Sequence, residues 1–239
     1  MTFSARLAVA ASAAASCVAS SALAQSTLLS AWTFPTALPT NPPPGGVTYS
    51  YGAANEGVLT AGSMFSGTHA SASTAWTTPS GNSSQYALSS NFWAIGDYYE
   101  ARFSTLGYAD INIGWDQARS STGPATFDVA ISIDGGSNFS TILASYTVLQ
   151  SGGGGAPGTW STTGAYLSIY SNTLSLTNVA SNQADVRVRF RATAAAGGTS
   201  GSGRIDNVLV YSGPVIPVPA PGAVALLGLA GLTARRRRR

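Results

Sequence analysis

One stretch of the sequence decides the fold: Phe127-Asp128-Val129-Ala130-Ile131-Ser132-Ile133-Asp134. Apolar side chains occupy every second position, and polar or small ones lie between them. Successive side chains of a β-strand point to opposite faces, so this period of two predicts a strand with one buried and one wet face. Gly135 and Gly136 follow at once. Because glycine adopts the positive φ angles of tight turns, the stretch predicts the first half of an antiparallel hairpin.

The same alternation recurs along the body of the chain. It is clear in residues 99–105 and 111–116. Further strands are predicted at residues 141–149, 165–170, 185–192 and 204–211, with glycine-rich loops at 152–155 and 197–201. Helical periodicity is almost absent. Many short strands separated by such loops predict an all-β fold, either an antiparallel sandwich or a barrel.

The charge of the body argues against a nucleic-acid-binding protein. Residues 25–213 carry six arginines, no lysine and nine carboxylates, a net charge of −3. The +3 of the whole chain arises from Arg6 and five terminal arginines. Binding to nucleic acid needs a concentrated basic face, which this body lacks in its composition. The one cysteine, Cys17, lies outside residues 25–213, so disulfides contribute nothing to the body's stability.

The first 24 residues have the pattern of a secretory signal peptide. Arg6 precedes a run of Leu, Val, Ala and Ser, and Ala22-Leu23-Ala24 forms an A-x-A cleavage site before Gln25. Cleavage is expected after Ala24, and residues 1–24 are expected to form a signal helix. A lipoprotein acylated at Cys17 is the alternative, but the residues before Cys17 lack the large aliphatic side chain that such sites favour.

The last residues form a tail in three parts. Pro217-Val218-Pro219-Ala220-Pro221-Gly222 precedes an apolar run at residues 223–234, and the chain ends in Arg235, Arg236, Arg237, Arg238 and Arg239. The apolar run is shorter than the roughly 20 residues that span a bilayer as a helix. The arginines favour the cytoplasmic side, so the run is halted in the membrane during export. Residues 214–239 are therefore predicted to be a sorting or anchor segment with a short hydrophobic helix.

This tail resembles the PEP-CTERM sorting domain of exported bacterial proteins. The family's Pro-Glu-Pro signature falls on Pro219, Ala220 and Pro221, followed by Gly222, and Ala220 replaces the usual glutamate. The resemblance implies recognition by an exosortase-type membrane protease and a final location in the cell envelope or outside the cell. A plain membrane anchor with a positive-inside flank is the alternative. Both alternatives place residues 25–213 outside the cytoplasm, with the C-terminal segment in the membrane before processing.

The body resembles jelly-roll modules, including those that bind carbohydrate. The resemblance rests on Trp32-Thr33-Phe34, on Asp-Gly-Gly-Ser-Asn-Phe at 134–139 and on Arg-Ile-Asp-Asn-Val-Leu-Val at 204–210. It implies a β-sandwich over residues 25–213 and association with exopolysaccharide. It also implies a structural Ca²⁺ ion held by Asp206 and a partner such as Glu56, since calcium prefers oxygen ligands. The alternative is that Asp206 accepts hydrogen bonds from loop amides.

Two further groups of residues are candidates for ligand binding. Arg187, Arg189 and Arg191 lie on one side of a predicted strand, either as a cationic stripe for an acidic polysaccharide or as a face neutralised by neighbouring carboxylates. The tryptophans can stack on sugars if exposed, although large aromatic side chains are usually part of the core. Ser132, Asp134, Gly136 and Phe139 resemble the Asp-box of sialidases, a motif that stabilises a turn.

The residues for catalysis are few. His69 is the only histidine, no G-x-S-x-G surrounds a candidate nucleophile, and no spacing singles out a pair of carboxylates. We expect His69 to lie in a surface loop. The sequence therefore predicts a protein that is not an enzyme and needs no cofactor. A non-catalytic envelope or matrix protein is favoured, a glycan-binding module with structural calcium is the alternative, and a secreted hydrolase is the third.

Overall fold

The computed structural model describes residues 26–40, 43–153 and 156–213 of the 239-residue chain. Within these ranges the chain forms two six-stranded antiparallel sheets. The strands are β1 (Thr27–Trp32), β2 (Thr48–Gly52), β3 (Met64–Thr68), β4 (Trp76–Thr77), β5 (Leu88–Ser90), β6 (Tyr98–Phe103), β7 (Ile111–Arg119), β8 (Thr126–Ser132), β9 (Ser140–Thr147), β10 (Ser171–Ser175), β11 (Val186–Ala192) and β12 (Gly203–Ser212). A 3-10 turn at Ser168–Tyr170 and a one-turn helix, α1 (Thr177–Ala180), complete the description.

The two sheets form a sandwich. The first sheet has the order β10-β7-β12-β5-β4, with β1 also paired to β12, and the second has the order β2-β3-β6-β11-β8-β9. Strands β5 to β8 alternate between the two sheets, as the chain does in a jelly roll. The antiparallel β-sandwich predicted from the alternation is confirmed, and the barrel alternative is wrong.

Strand β11 shows how alternation builds the core. Val188 and Phe190 are fully buried between the sheets, while Arg187, Arg189 and Arg191 point to the other side. Phe190 lies opposite Tyr99 on β6 and Val129 on β8, both of which are also fully buried. The neighbouring strands therefore contribute matching apolar faces, and the second sheet keeps one polar outer face.

Large aromatic side chains are prominent among the buried residues, and all those named next belong to the main core except Tyr170, which packs with Trp160 in a separate cluster. The largest of the fully buried side chains are Trp32, Trp76, Trp115, Tyr99, Tyr170, Phe34, Phe65, Phe103, Phe127 and Phe190. Each buries a large apolar area, so these residues dominate the hydrophobic stabilisation of the sandwich. Without any disulfide among residues 25–213, packing of this core and backbone hydrogen bonding hold the sheets together.

Two details of the predicted strands are wrong. Residues 165–170 do not form a strand: they lead into the 3-10 turn, and the strand β10 begins at Ser171. Tyr166 and Tyr170 in this segment use their hydroxyls in hydrogen bonds, so their aromatic character does not reflect strand pairing. Ile133 is 44% exposed because β8 ends at Ser132, where the glycine turn already begins.

The predicted signal helix and the predicted C-terminal helix lie outside the described residues. So do the cleavage site at Ala22 and Ala24, the motif residues Pro219, Ala220, Pro221 and Gly222, and the basic residues Arg235 to Arg239. Among the residues that the structure does describe, no helix combines the length and the apolar character needed to cross a membrane.

Candidate functional site

The outer face of the second sheet carries the three arginines of β11, and each is paired with a carboxylate. Arg187 lies 3.3 Å from Asp185, which also binds Arg102 at 3.0 Å. Arg189 and Arg191 are paired with acidic residues of the adjacent strands β6 and β8. Each of the three arginines therefore has a carboxylate neighbour, and Asp185 is shared with Arg102, so the arginines do not form a free cationic stripe.

Arg189 lies at the centre of this face and is held by three side chains. Its guanidinium carbon lies 4.1 Å from the ring centroid of Tyr98 and 3.7 Å from that of Phe139. Its Nε donates to Glu100 Oε2 at 2.6 Å. Arginine stacks well on aromatic rings, and each such contact stabilises by about 0.5–2 kcal/mol depending on exposure. Tyr98, Arg189 and Phe139 are referred to below as the platform.

The turn between β8 and β9 places Phe139 on the platform. Asp134 accepts hydrogen bonds from the Ser132 hydroxyl at 2.7 Å and from the backbone N–H of Asn138 at 3.0 Å. These hydrogen bonds hold the pKa of Asp134 well below its usual value. Gly136 has a φ of +89°, which a side chain would disfavour. The residues that resemble an Asp-box thus fix a turn, and Phe139 follows that turn directly.

A depression of about 400 Å³ opens beside the platform. Tyr98 and Arg189 form part of its lining, together with Ile95, Asp128 and Arg191. Arg191 donates to both carboxylate oxygens of Asp128, at 2.8 and 2.7 Å. This paired geometry fixes both side chains. Ile95 at the rim is 72% exposed, so the depression combines an apolar rim, an aromatic ring and oriented polar groups.

The tryptophans do not contribute to this surface. Trp32, Trp76, Trp93, Trp115 and Trp160 are all at most 3% exposed. A buried indole cannot stack on a sugar. The half-buried aromatic residues beside Arg189 on the outer face are instead Tyr98 and Phe139. The sequence named Phe139 only as part of the Asp-box resemblance and did not indicate Tyr98. Extending the alternation of residues 99–105 back by one position would place Tyr98 on the wet side.

Asp206 is fully buried in the first sheet, next to Asp116 on the paired strand. Asp206 accepts hydrogen bonds from the backbone N–H groups of Asn82 and Asn207, both at 2.8 Å. Asp116 accepts from the side-chain amides of the same two asparagines, at 3.0 and 2.8 Å, and from the Tyr166 hydroxyl at 3.0 Å. The pair thus ties two loops to the sheet, as the loop-amide alternative for Asp206 describes.

Burial raises the pKa of Asp206 from 3.8 to about 8. The hydrogen-bond geometry agrees with a protonated carboxyl. The hydroxyl oxygen of Ser84 lies 2.5 Å from Asp206 Oδ2 and 3.0 Å from the carbonyl oxygen of Tyr86. One hydroxyl hydrogen cannot serve both acceptors. If Asp206 carries the proton, it donates to Ser84, and Ser84 donates to Tyr86.

The surroundings of Asp206 do not fit a calcium ion. Calcium takes six to eight oxygen ligands, whereas the two carboxylates here receive N–H and O–H donors from Asn82, Asn207 and Tyr166. Glu56, the expected partner, contacts Asn55 instead. Within the described ranges, no group of three or more His, Cys, Asp or Glu side chains is placed to hold a metal ion. The network is complete as a hydrogen-bonded structure.

The expectation that His69 lies in a surface loop is wrong. The residue is 3% exposed and packs between Trp76 and Trp93, with ring centroids at 4.9 and 4.2 Å. Its Nε2 lies 3.1 Å from the Ser90 hydroxyl, and its Nδ1 lies 3.4 Å from Asp97 Oδ2. The three residues are those of a Ser-His-Asp triad, but within the described residues Nδ1 is buried without a hydrogen-bond partner.

This network lacks the access that a triad needs. Ser90 is 1% exposed, and its hydroxyl also contacts the Tyr99 hydroxyl at 3.0 Å inside the core. Burial lowers the pKa of His69 from 6.5 to about 4, so its imidazole is a poor general base at neutral pH. A nucleophile must also reach substrate beside an oxyanion site. His69 therefore serves the core, and the hydrolase alternative gains no support from it.

No known family model matches the sequence. No curated protein matches it either.

Several solved structures show weak similarity. One is the structure of the CBM22-1 and GH10 modules of endo-1,4-β-D-xylanase 10B from Clostridium thermocellum, complexed with xylohexaose. The two sequences are 14% identical, the match covers 57% of this chain and 24% of that chain, and the TM-score is 0.39. This chain thus spans about a quarter of the xylanase chain. Another is the K1 cleaved adhesin domain of Lys-gingipain from Porphyromonas gingivalis W83. It is 13% identical, the match covers 77% of this chain and 98% of that domain, and the TM-score is 0.42. A third is a carbohydrate-binding module that recognises mannan. It is 11% identical, the match covers 80% of this chain and 99% of that module, and the TM-score is 0.42.

Proposed function

We propose that this chain is an exported, non-catalytic protein of the cell envelope or extracellular matrix, and that its sandwich binds a glycan on the outer face of the second sheet. The observation that carries the proposal is the platform, in which Arg189 stacks on Tyr98 and Phe139 beside an open depression. Ligand sites combine apolar or aromatic surface with a few oriented polar groups. The platform and the depression supply both.

The polar groups suit the hydroxyls of a sugar. A hydroxyl both donates and accepts hydrogen bonds, and the depression offers the carboxylate of Asp128 as an acceptor beside the guanidinium of Arg191 as a donor. The terminal nitrogens of Arg189 have no hydrogen-bond partner among the described residues, since its one such contact there uses Nε. The side chain of Ile95 and the part of the Tyr98 ring that Arg189 does not cover line the depression and offer apolar surface to a pyranose.

The ion pairs favour a neutral glycan at this face. Glu100 and Asp128 already neutralise Arg189 and Arg191, at 2.6 and 2.7 Å. An acidic sugar would have to compete with these carboxylates, whereas a neutral one uses the remaining hydrogen-bonding positions. Because the same ion pairs fix the side chains before the ligand arrives, binding loses less side-chain entropy.

Binding to insoluble polysaccharides tests this function. The full chain is mixed with a panel of neutral polysaccharides, including mannan, xylan and mixed-linkage β-glucan, and the protein left in solution is measured. We expect depletion by at least one of them. Phe139→Ala should weaken the affinity about fivefold, because an aromatic contact contributes about 1 kcal/mol. Ile169→Ala, at an exposed apolar residue of the 3-10 turn, is the matched control. Equal depletion by all three proteins would reject the platform as the site.

Sorting of the protein is a separate part of the proposal. Residues 1–24 are removed as a signal peptide, residues 25–213 form the sandwich domain, and residues 214–239 direct the protein to an exosortase-type protease at Pro219 to Gly222. The support is the order of the proline-rich segment, apolar run and arginines in the sequence. Intact mass of the protein from envelope and medium tests it. Loss of Arg235 to Arg239 with cleavage near Pro219 to Pro221 is expected, and a tail intact on all mature protein would contradict it.

A further inference from the structure

A second cavity lies on the outer side of the first sheet, away from the platform. It has a volume of about 250 Å³, and Arg204 on β12 forms part of its wall. Arg204 lies opposite Ser89 on β5 and Ala118 on β7. The three arginines of β11 all have carboxylate partners, whereas Arg204 has none among the described residues.

Arg204 has neither an ion pair nor a hydrogen bond within the residues that the structure describes, and its Nε is buried without a partner there. Burial lowers the pKa of Arg204 below its ordinary value. A guanidinium that loses water without gaining a counter-charge is costly. The fold therefore maintains a positive charge that an anion can compensate.

The rest of the cavity wall combines the apolar side chains of Ala75 and Pro79 with uncharged hydrogen-bonding side chains. The hydroxyls of Thr77, Ser200 and Ser202 have no side-chain hydrogen bond in the described part of the chain, and all three residues line the cavity. Asn91 uses its Oδ1 to accept from the backbone N–H of Ala75 at 2.8 Å, which leaves its NH₂ group as a donor. Among the residues that the structure describes, no aspartate or glutamate lines the cavity.

We infer that this cavity binds the carboxylate of a uronic acid residue in an acidic polysaccharide. The terminal nitrogens of Arg204 engage the carboxylate, since guanidinium and carboxylate match as a two-pronged pair. The hydroxyls and the Asn91 amide engage the sugar hydroxyls. The volume fits one sugar residue and its carboxylate, not an extended chain. The inference rests on the glycan-binding function proposed above, and it adds on the opposite sheet a separate site for acidic sugar residues, which the platform does not favour.

The loops around the cavity are fixed before any ligand arrives. The backbone N–H of Ser202 donates to the Ser120 hydroxyl at 2.9 Å, and that of Gly197 donates to the Thr122 carbonyl at 2.8 Å. A Cβ at Gly201 would lie 2.3 Å from the carbonyl oxygen of Thr122, so this loop packs closely against the next. A site that is already formed loses little entropy on binding.

Nuclear magnetic resonance of the full chain tests the inference, with the arginine side-chain N–H signals as reporters. The protein is titrated with sodium galacturonate, with galactose, with sodium acetate and with sodium sulfate. We expect galacturonate to shift the Arg204 signal at about tenfold lower concentration than acetate, since hydrogen bonds from the sugar hydroxyls add to the charge pair. Galactose should leave the signal unchanged. Sulfate acting as strongly as galacturonate would overturn the uronate assignment in favour of a general anion site.

Variants separate this cavity from the platform. Read through the side-chain amide signals of Asn91, Arg204→Gln should abolish the galacturonate effect while its melting temperature stays equal or rises, because a partly buried charge without a counter-charge is removed. Arg102→Gln, a half-exposed arginine on the opposite face, should leave the effect intact. Binding of galacturonate that survives Arg204→Gln and disappears in Arg102→Gln would overturn the inference. The absence of any Arg204 shift in the wild-type protein would also overturn it, whatever the neutral polysaccharides do at the platform.

Discussion

The guanidinium carbon of Arg189 lies 3.7 Å from the ring centroid of Phe139. Arg189 is on strand β11, whereas Phe139 lies in the turn between β8 and β9. Three elements produce this contact: β11 supplies the arginine, β6 supplies Tyr98 and Glu100 beside it, and the turn after β8 supplies Phe139. The platform is therefore a property of the assembled sheet. Its position on the polar outer face, above a filled core, leaves it free to meet a ligand.

Glu100→Gln should destabilise the platform. The carboxylate of Glu100 is 12% exposed and accepts from Arg189 Nε at 2.6 Å. Because a charged partner is replaced by a neutral one in a partly buried pair, we expect the free energy of unfolding to fall by about 0.5–2 kcal/mol and glycan affinity to fall with it. Urea unfolding measures the first effect. Glu56→Gln, at a residue away from the platform, should change stability by less than about 0.5 kcal/mol.

His69 should make stability depend on pH. Its folded pKa of about 4 lies below the unfolded value of 6.5, so the unfolded state binds the proton first as the pH falls. The contribution of His69 to the free energy of unfolding therefore falls as the pH is lowered from 6.5 to 4, by at most about 1.4 kcal/mol per pH unit. Urea unfolding across this range, for wild type and His69→Gln, should show that the difference between the two proteins changes with pH. A constant difference would show that His69 titrates as in the unfolded chain.

Asp206 should have the opposite effect. Its folded pKa of about 8 lies above the unfolded value of 3.8, so the native state keeps a proton that the unfolded state releases. The stability contributed by Asp206 therefore falls as the pH rises from 3.8 to 8, again by at most about 1.4 kcal/mol per pH unit. Between about pH 7.5 and 8, where His69 is largely neutral in both states, Asp206→Asn should reduce the loss of stability with rising pH. Added calcium should not raise the melting temperature. A calcium-dependent rise abolished in Asp206→Asn would contradict the hydrogen-bonded description.

Gly67→Ala should be destabilising for a packing reason. A Cβ at this position would lie 2.4 Å from the ring of Trp76, which is fully buried. The ring cannot move without disturbing the core, so we expect a loss of about 1–3 kcal/mol in the free energy of unfolding. Gly198→Ala is the matched control, because a Cβ there meets nothing within 4 Å. Thermal unfolding compares the two, and equal melting temperatures would show that the space beside Trp76 is not closely packed.

The second half of the fold could be predicted from the sequence because its strands are long enough to show alternation. β8 and β11 each have seven residues, with one apolar face. β4 has two residues and β5 has three, so neither contains a full period that a pattern could reveal. β1, with the sequence TLLSAW, is buried on both sides at its end and does not alternate. Strands of this kind become recognisable only through their partners in the sheet.

The candidate sites were predictable only in part, since they depend on register. The side of β11 that carries Arg189 follows from alternation, but the contacts to Tyr98 and Phe139 depend on pairing with β6 and on the turn after β8. His69 has small and polar neighbours in the sequence, which suggested a loop, yet tertiary packing encloses it between two tryptophans. The isolation of Arg204 was equally hidden, because an unpaired charge is defined by what surrounds it in space.

The most direct test of glycan binding at the platform is a titration of the isotope-labelled full chain with the neutral oligosaccharide derived from whichever polysaccharide depletes it. The reporters are the ring signals of Tyr98 and Phe139 and the side-chain N–H signal of Arg189. We expect these three signals to shift together and to follow one saturation curve with a single dissociation constant. Tyr98→Ala should raise that dissociation constant about tenfold. Saturable binding that leaves all three signals unchanged, or the absence of binding to every neutral glycan in the panel, would contradict it.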